Sequence, residues 1–149
     1  MNRVAPLAIA CLLAAGCADT DPSGTSPTGA AAVLQALAGT WTLGSSSASL
    51  PAGCTALEYT VTPGSDGDSG AVAFSGVCSG VEGSGSGKAA VSGSTLNWSA
   101  EGTATRSGLS CPFNFNEGTA ALEGSGVRVT FAGTVCGVPV SGSELLQRK

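Results

Sequence analysis

The sequence predicts an all-β protein: an eight-stranded antiparallel up-and-down barrel built from two four-stranded repeats, with a short N-terminal helix and two disulfides. Three observations lead to this prediction. Short runs of β-branched and aromatic residues alternate with turn sequences rich in glycine and serine. Landmark residues recur at a constant spacing, which indicates two copies of one unit of about 57 residues. Beyond Cys17 the chain holds four cysteines, an even number that is typical of small disulfide-bonded domains.

The repeat rests on landmarks that recur in register. Each half has a tryptophan, a first cysteine at the same distance after it, and a phenylalanine shortly before a second cysteine. The tryptophans, the first cysteines and the phenylalanines are separated by one identical offset, and the second cysteines lie one position further apart. Coincidence in a chain rich in glycine, serine and alanine is the alternative explanation. The landmark pairs are Trp41 and Trp98, Cys54 and Cys111, Phe74 and Phe131, and Cys78 and Cys136.

Each repeat is expected to contain four strands. The strand sequences include TWTL, LEYTV, AVAFSGV, TLNWSA and VRVTFAGTV, and the segments GSDGDSG, EGSGSG, SGS and EGSG are interpreted as turns between them. Within the first turn, residues 66–70 also resemble a fragment of an acidic calcium loop, but the later carboxylate of such a site is missing, so a hairpin turn is favoured. Short turns predict an up-and-down order, and closure into a barrel would remove exposed edges.

One segment is predicted to be helical. Residues Ala30 to Ala38 are good helix formers, and Gly39 follows as a plausible stop. We expect this helix to cap one end of the barrel.

The cysteine pairing follows from hairpin symmetry, because partners in an antiparallel pair lie equally far from the central turn. One pair is centred on Asp66, and the other between Glu123 and Gly124. Pairing between the repeats remains an alternative. A zinc site is disfavoured, since the chain has neither histidine nor a C-x-x-C motif, and we expect no metal. The predicted disulfides are Cys54–Cys78 and Cys111–Cys136.

The N-terminus predicts export. Arg3 precedes an apolar run from Val4 to Gly16, which is shorter than the ~20 residues that a membrane-spanning helix needs. Residues 1–16 are therefore interpreted as a signal peptide. Cleavage near Ala18, releasing a soluble secreted protein, is one way in which this segment could be processed.

The segment LLAAGC, ending at Cys17, resembles the lipobox of bacterial lipoproteins, with Ala14 where that family most often has leucine. The resemblance implies that Cys17 is acylated, with palmitate among the usual chains, and becomes the mature N-terminus. Residues 17–29 would then form a lipidated flexible tether, and residues 30–149 the barrel domain. The expected location is the cell envelope, where the lipid would anchor the protein, with the outer membrane as the favoured membrane.

No enzyme is predicted, and no catalytic residue or cofactor is assigned. The chain lacks histidine, no nucleotide-binding loop follows a strand, and carboxylates such as Glu58, Glu101, Glu117 and Glu123 are scattered. Cationic residues such as Arg106 are isolated and form no cluster, so nucleic acid is not an expected partner.

The segment Leu37 to Trp41, which follows the predicted helix, resembles the G-x-W start of lipocalins and related calycin barrels. The resemblance implies that Trp41 closes the barrel floor and that Arg148, near the chain end, covers it. Independently of this resemblance, Trp41 and Trp98 are possible ligand-lining residues in a barrel mouth. The alternative is that each tryptophan anchors its half of the core.

A second resemblance joins LAGTWTL, Cys54 and Cys78 to the small barrel inhibitors of secreted bacterial metalloproteases. It implies that the N-terminal segment enters a protease cleft, which a lipid on Cys17 would hinder. Cys111 and Cys136 have no counterpart in that pattern.

The function expected from the sequence is that of a membrane-tethered, exported, non-catalytic binding module for a small apolar ligand or an envelope component. A protein-binding barrel such as a protease inhibitor, or a purely structural envelope protein, is the alternative. Apart from the membrane, the expected partners are a small apolar ligand or an envelope protein, and the protein is expected to be a monomer.

Overall fold

The structure, a computed structural model, describes residues 28–43 and 54–149. The predicted signal peptide, Cys17 and most of the tether lie outside the described residues. The elements are α1 (Ala30–Leu37), β1 (Gly39–Leu43), β2 (Cys54–Pro63), β3 (Ser69–Cys78), β4 (Val81–Ser92), β5 (Thr95–Arg106), β6 (Leu109–Glu123), β7 (Gly126–Val135) and β8 (Val138–Arg148).

The eight strands form one closed barrel in chain order, which confirms the predicted fold class. Each strand pairs antiparallel with its neighbours, and β1 closes the barrel by pairing with both β2 and β8. Because β1 is only five residues long, its ladder with β8 joins three residue pairs, from Trp41–Arg148 to Leu43–Leu146. The seam at β1 is therefore the shortest ladder of the described barrel.

The repeat predicted from the sequence corresponds to the two halves of the barrel. Strands β3 and β7 begin at the same offset as the two tryptophans, and so do β4 and β8. Trp41 lies in β1 and Trp98 in β5, the first strand of each half. The landmarks thus occupy equivalent strands in β1–β4 and β5–β8.

The interpretation of EGSGSG as a turn was wrong. This segment lies inside β4, which continues from Val81 to Ser92. Alternate residues of β4 face inward, and glycines occupy consecutive inward positions. A Cβ at Gly85 would stand 2.5 Å from the Phe113 ring. Glycine is tolerated in this strand because large aromatic rings fill the space that side chains would otherwise occupy. Sequence patterns do not reveal this packing, since the rings belong to other strands.

Helix α1 covers one end of the barrel, as predicted, although it ends at Leu37 and leaves Ala38 extended. Leu34 and Leu37 are 0% and 1% exposed, and the helix contacts β2, β4, β5 and β6. We call this the helix end. No helix among the described residues is long and apolar enough to cross a membrane.

Both disulfides lie at the opposite end, which we call the disulfide end. Cys54 and Cys78 are bonded and directly paired in the β2–β3 ladder. Cys111 is bonded to Cys136, just beyond β7. The predicted pairing within each hairpin is confirmed. In the chain-entropy model, loops of this size stabilise a fold by about 3 kcal/mol each.

Tight turns project from the disulfide end. Ser79–Gly80, Ser107–Gly108 and Cys136–Gly137 each have positive φ at both residues, which is the geometry of the two-residue hairpin turn of type I′. These turns keep the β3–β4, β5–β6 and β7–β8 connections short, so the described part of the rim at this end is formed by strand ends.

Candidate functional site

The barrel floor is closed by Trp41 and Arg148. The indole Nε1 of Trp41 donates a 2.8 Å hydrogen bond to the Leu37 carbonyl. The Arg148 guanidinium lies 4.4 Å from the Trp41 ring centroid and donates to the carbonyls of Ala36 and Ala38 at 2.9 and 3.0 Å. Arg148 thus covers Trp41 as expected. The planar guanidinium can stack on the indole and at the same time donate to backbone carbonyls that have no partner within the helix, at the C-terminus of α1.

The middle of the barrel is filled by aromatic side chains. Successive ring centroids lie 5.0 to 6.3 Å apart, mostly in edge-to-face arrangements. Such contacts stabilise beyond the burial of apolar area. We call this group the aromatic cluster; its members are Tyr59, Phe74, Trp98, Phe113, Phe115 and Phe131.

Inward-facing glycines make room for these rings. A Cβ at Gly118 would overlap the Trp98 ring, and a Cβ at Gly142 would lie 2.6 Å from Phe131 Cζ. The few large side chains of the sequence can therefore fill the interior only because their cross-strand neighbours are small.

The two tryptophans border a minute cavity. Trp41, Trp98 and Tyr59 line a void of about 20 Å³ together with aliphatic residues. That volume is close to the minimum for one water and far below the ~300 Å³ of the smallest usual ligand pockets. Trp41 and Trp98 are 3% and 7% exposed. In the described structure both are therefore packed into the core around this small void, and Trp98 also lines a larger groove in the barrel wall.

A buried carboxylate, Glu144, lies on the inner face of β8. It is 2% exposed, and no other charged side chain of the described residues is buried. The Tyr59 hydroxyl donates a hydrogen bond to Glu144, whereas Glu144 Oε2 has no partner in the described part of the chain. Burial raises the pKa of Glu144 to about 7, against the opposing effect of the Tyr59 hydrogen bond. Burial also raises the pKa of Tyr59, and the Glu144 charge adds to that rise.

A larger space opens at the disulfide end, under the β5–β6 hairpin. It has a volume of about 460 Å³, within the range of small-molecule pockets. Most of its lining is apolar, including the Cys111–Cys136 bond, and Phe113, the next inward residue of β6, is buried beneath it. We call this space the rim recess; its lining residues are Val81, Ala104, Arg106, Ser107, Leu109, Ser110, Cys111, Val135 and Cys136.

The rim recess carries one charge. Arg106 and Leu109 form a cross-strand pair at the hairpin tip, on the face that Ala104 and Cys111 share. Leu109 is 80% exposed, an unusual state for a large aliphatic side chain. None of the carboxylates that the structure describes lines the recess, because Glu82, in the adjoining strand, alternates to the outer face. The recess is thus an apolar cup with a guanidinium at its edge.

The outer wall carries a second concavity. An extra residue, Asn116, interrupts the ladders of β6 with both β5 and β7, so Asn116 and Glu117 are both exposed. The surrounding groove, which we call the outer groove, spans β3 to β7, encloses about 800 Å³ and is open to solvent. Bulges often occur beside functional sites.

Sequence reasoning missed the residues that the structure brings together at the rim. The sequence presents Arg106 only as an isolated cation, although Leu109, an apolar residue beside a glycine turn, was a usable signal. Nothing in the sequence distinguishes Glu144 from the other carboxylates. Among the described residues there is no group of three or more histidine, cysteine or acidic side chains that could hold a metal. No family model, curated protein or solved structure matches the chain.

Proposed function

We propose that this protein is an exported, lipid-anchored, non-catalytic binding module of the cell envelope that takes a small apolar ligand in the rim recess. The observation that carries the proposal is the recess itself: an apolar cup of about 460 Å³ in a barrel whose remaining interior is filled. The mouths of β-barrels are common ligand sites.

The position of the recess is consistent with tethering. The chain enters the barrel at the helix end, through Thr28 and α1, whereas the recess lies at the disulfide end. A tether that begins at Cys17 would hold the helix end towards the membrane and leave the recess facing away from it. The two disulfides brace the rim, so the cup is preformed and little conformational entropy is lost on binding.

Filling the recess should weaken ligand binding. We expect Val81→Trp to weaken the binding of phenylnaphthylamine, a neutral apolar fluorescent probe, by at least about tenfold, because the indole would occupy the cup. The measurement is a fluorescence titration of the full chain.

The repeat supplies a matched control for this variant. Val138 follows the Cys136–Gly137 turn as Val81 follows the Ser79–Gly80 turn, and it is 61% exposed, but it does not line the recess. Val138→Trp should leave probe affinity unchanged, and urea unfolding should show both variants folded. Equal binding by Val81→Trp, Val138→Trp and the parent protein would exclude the rim recess as the site.

The anchor has its own test. Protein extracted with detergent from its native membranes should carry the mass of a diacylglyceryl group and an additional acyl chain on Cys17. Cys17→Ser should remove that mass and release the protein from membranes, whereas Cys11→Ser, within the cleaved segment, should not. A mature chain without lipid would mean that the signal is processed as that of a soluble secreted protein.

A protein partner is the second candidate, favoured by the outer groove and by its exposed Asn116 and Glu117. It predicts that the purified protein carries no removable small molecule and binds no apolar probe. The same titration therefore separates the two functions.

A further inference from the structure

Resting on the proposed function, we infer that the ligand of the rim recess is an anionic amphiphile, whose apolar body fills the cup while its acidic head pairs with Arg106. The recess provides both parts of this match: an aliphatic and disulfide lining below, and one guanidinium with the hydroxyls of Ser107 and Ser110 at the edge.

Arg106 differs from the other described arginines because its side chain has no structural partner among the described residues. The other two described arginines have structural partners. Arg128 forms a bidentate ion pair with Glu123. Arg148 donates to backbone carbonyls at the C-terminus of α1 and stacks on Trp41. Within residues 28–43 and 54–149, the Arg106 side chain makes no ion pair or hydrogen bond. Its five donors therefore remain available to a carboxylate, phosphate or sulfonate.

The charge of the recess favours an anion. Arg106 lies on the inward-facing side of the hairpin tip, opposite Leu109, so an apolar body against Leu109 would bring its head group towards the guanidinium. Because the recess has no carboxylate among its described lining residues, an anionic head would meet no repulsion from them. A cationic amphiphile would face Arg106 without a counter-charge, and a neutral one would leave its donors to water.

A matched pair of probes tests the inference. Anilinonaphthalene sulfonate has the aromatic body of phenylnaphthylamine with one added sulfonate. We expect the sulfonate to bind the parent protein about five- to tenfold more tightly than the neutral probe at low salt, and this preference should shrink as salt is added. Arg106→Gln should remove the preference by weakening the binding of the sulfonate much more than that of the neutral probe. Arg106→Lys should retain part of the preference, and Arg128→Gln, on the outer face, should have no effect.

The outcomes separate the two proposals. If both probes bind the recess with equal affinity, or if Arg106→Gln leaves the sulfonate preference intact, the head-group inference is wrong and the apolar site stands. If neither probe binds, the proposed function itself fails. A sulfonate signal that persists in Val81→Trp would place that binding outside the recess and would also overturn the inference.

Discussion

Replacing Glu144 with glutamine should stabilise the protein by up to about 3 kcal/mol above about pH 8 and have little effect below about pH 4. Burial raises the folded-state pKa of Glu144 to about 7, above its ordinary 4.5. The folded protein then binds more protons than the unfolded chain between these values, so stability falls as the pH rises through that window. Glutamine is isosteric with the protonated acid and removes the buried charge. Urea unfolding across the pH range measures the effect.

A control comes from Glu123, an exposed carboxylate whose pKa is lowered by its hydrogen bond and ion pair with Arg128. Its contribution has the opposite sign, being lost as the pH falls below about 4.5, so Glu123→Gln should preserve the decline of stability above that pH. A parent protein whose stability is flat between about pH 5 and about pH 8 would show that Glu144 does not titrate in this way.

The charged form of Glu144 has no internal counter-ion in the part of the chain that the structure describes. Alternate residues of the strands face inward, and the described carboxylates and lysines of β4 to β7 lie on the outer wall. Arg148, on β8 itself, stacks on Trp41 at the floor. Among the described residues only the Tyr59 hydroxyl hydrogen-bonds to Glu144. Ionisation therefore places a charge against the aromatic cluster, at a cost that the protonated state avoids.

The second large effect is expected at Gly118. Gly118→Ala should destabilise the protein by about 1 to 3 kcal/mol, because its Cβ would overlap the Trp98 ring. Trp98 cannot yield easily, since the rings of Tyr59 and Phe115 lie 6.0 and 6.3 Å from it. Denaturant unfolding measures the loss, and the near-ultraviolet circular dichroism of the tryptophans should report the displacement of Trp98.

Gly83 offers the matched comparison, as another inward-facing strand glycine. A Cβ there would meet its nearest atom, Phe74 Cε1, at an ordinary 3.7 Å. Gly83→Ala should therefore be neutral or stabilise by up to about 1 kcal/mol, because it reduces the entropy of the unfolded chain. Equal losses at the two positions would mean that glycine is required in these strands for a reason other than ring packing.

Several features of the fold could be predicted because they depend on local or periodic information. The constant spacing of the landmarks carries the repeat, and the position of each hairpin turn places Cys54 opposite Cys78 and Cys111 near Cys136. The helix before Gly39 follows from composition. For these elements, residue type and chain spacing contain the physical cause.

The segment from Glu82 to Gly87 could not be assigned in the same way. Its glycines and serines have turn character alone, and they form a strand because the rings of Phe74 and Phe113 cover the inner face. Those rings come from other strands of the barrel. The outcome depends on packing between strands, which no local preference contains.

The sequence alone determined the strand count, the repeat and the position of the helix, and it favoured the disulfide pairing that the structure then established, because pattern and spacing indicate which segments pair. Only the tertiary structure decided that Trp41 and Trp98 are packed into the core, that Glu144 is buried beside Tyr59, and that Arg106 edges an apolar recess. Strand alternation tells which side chains share a face, but the space left between them depends on how rings and glycines from different strands fit together.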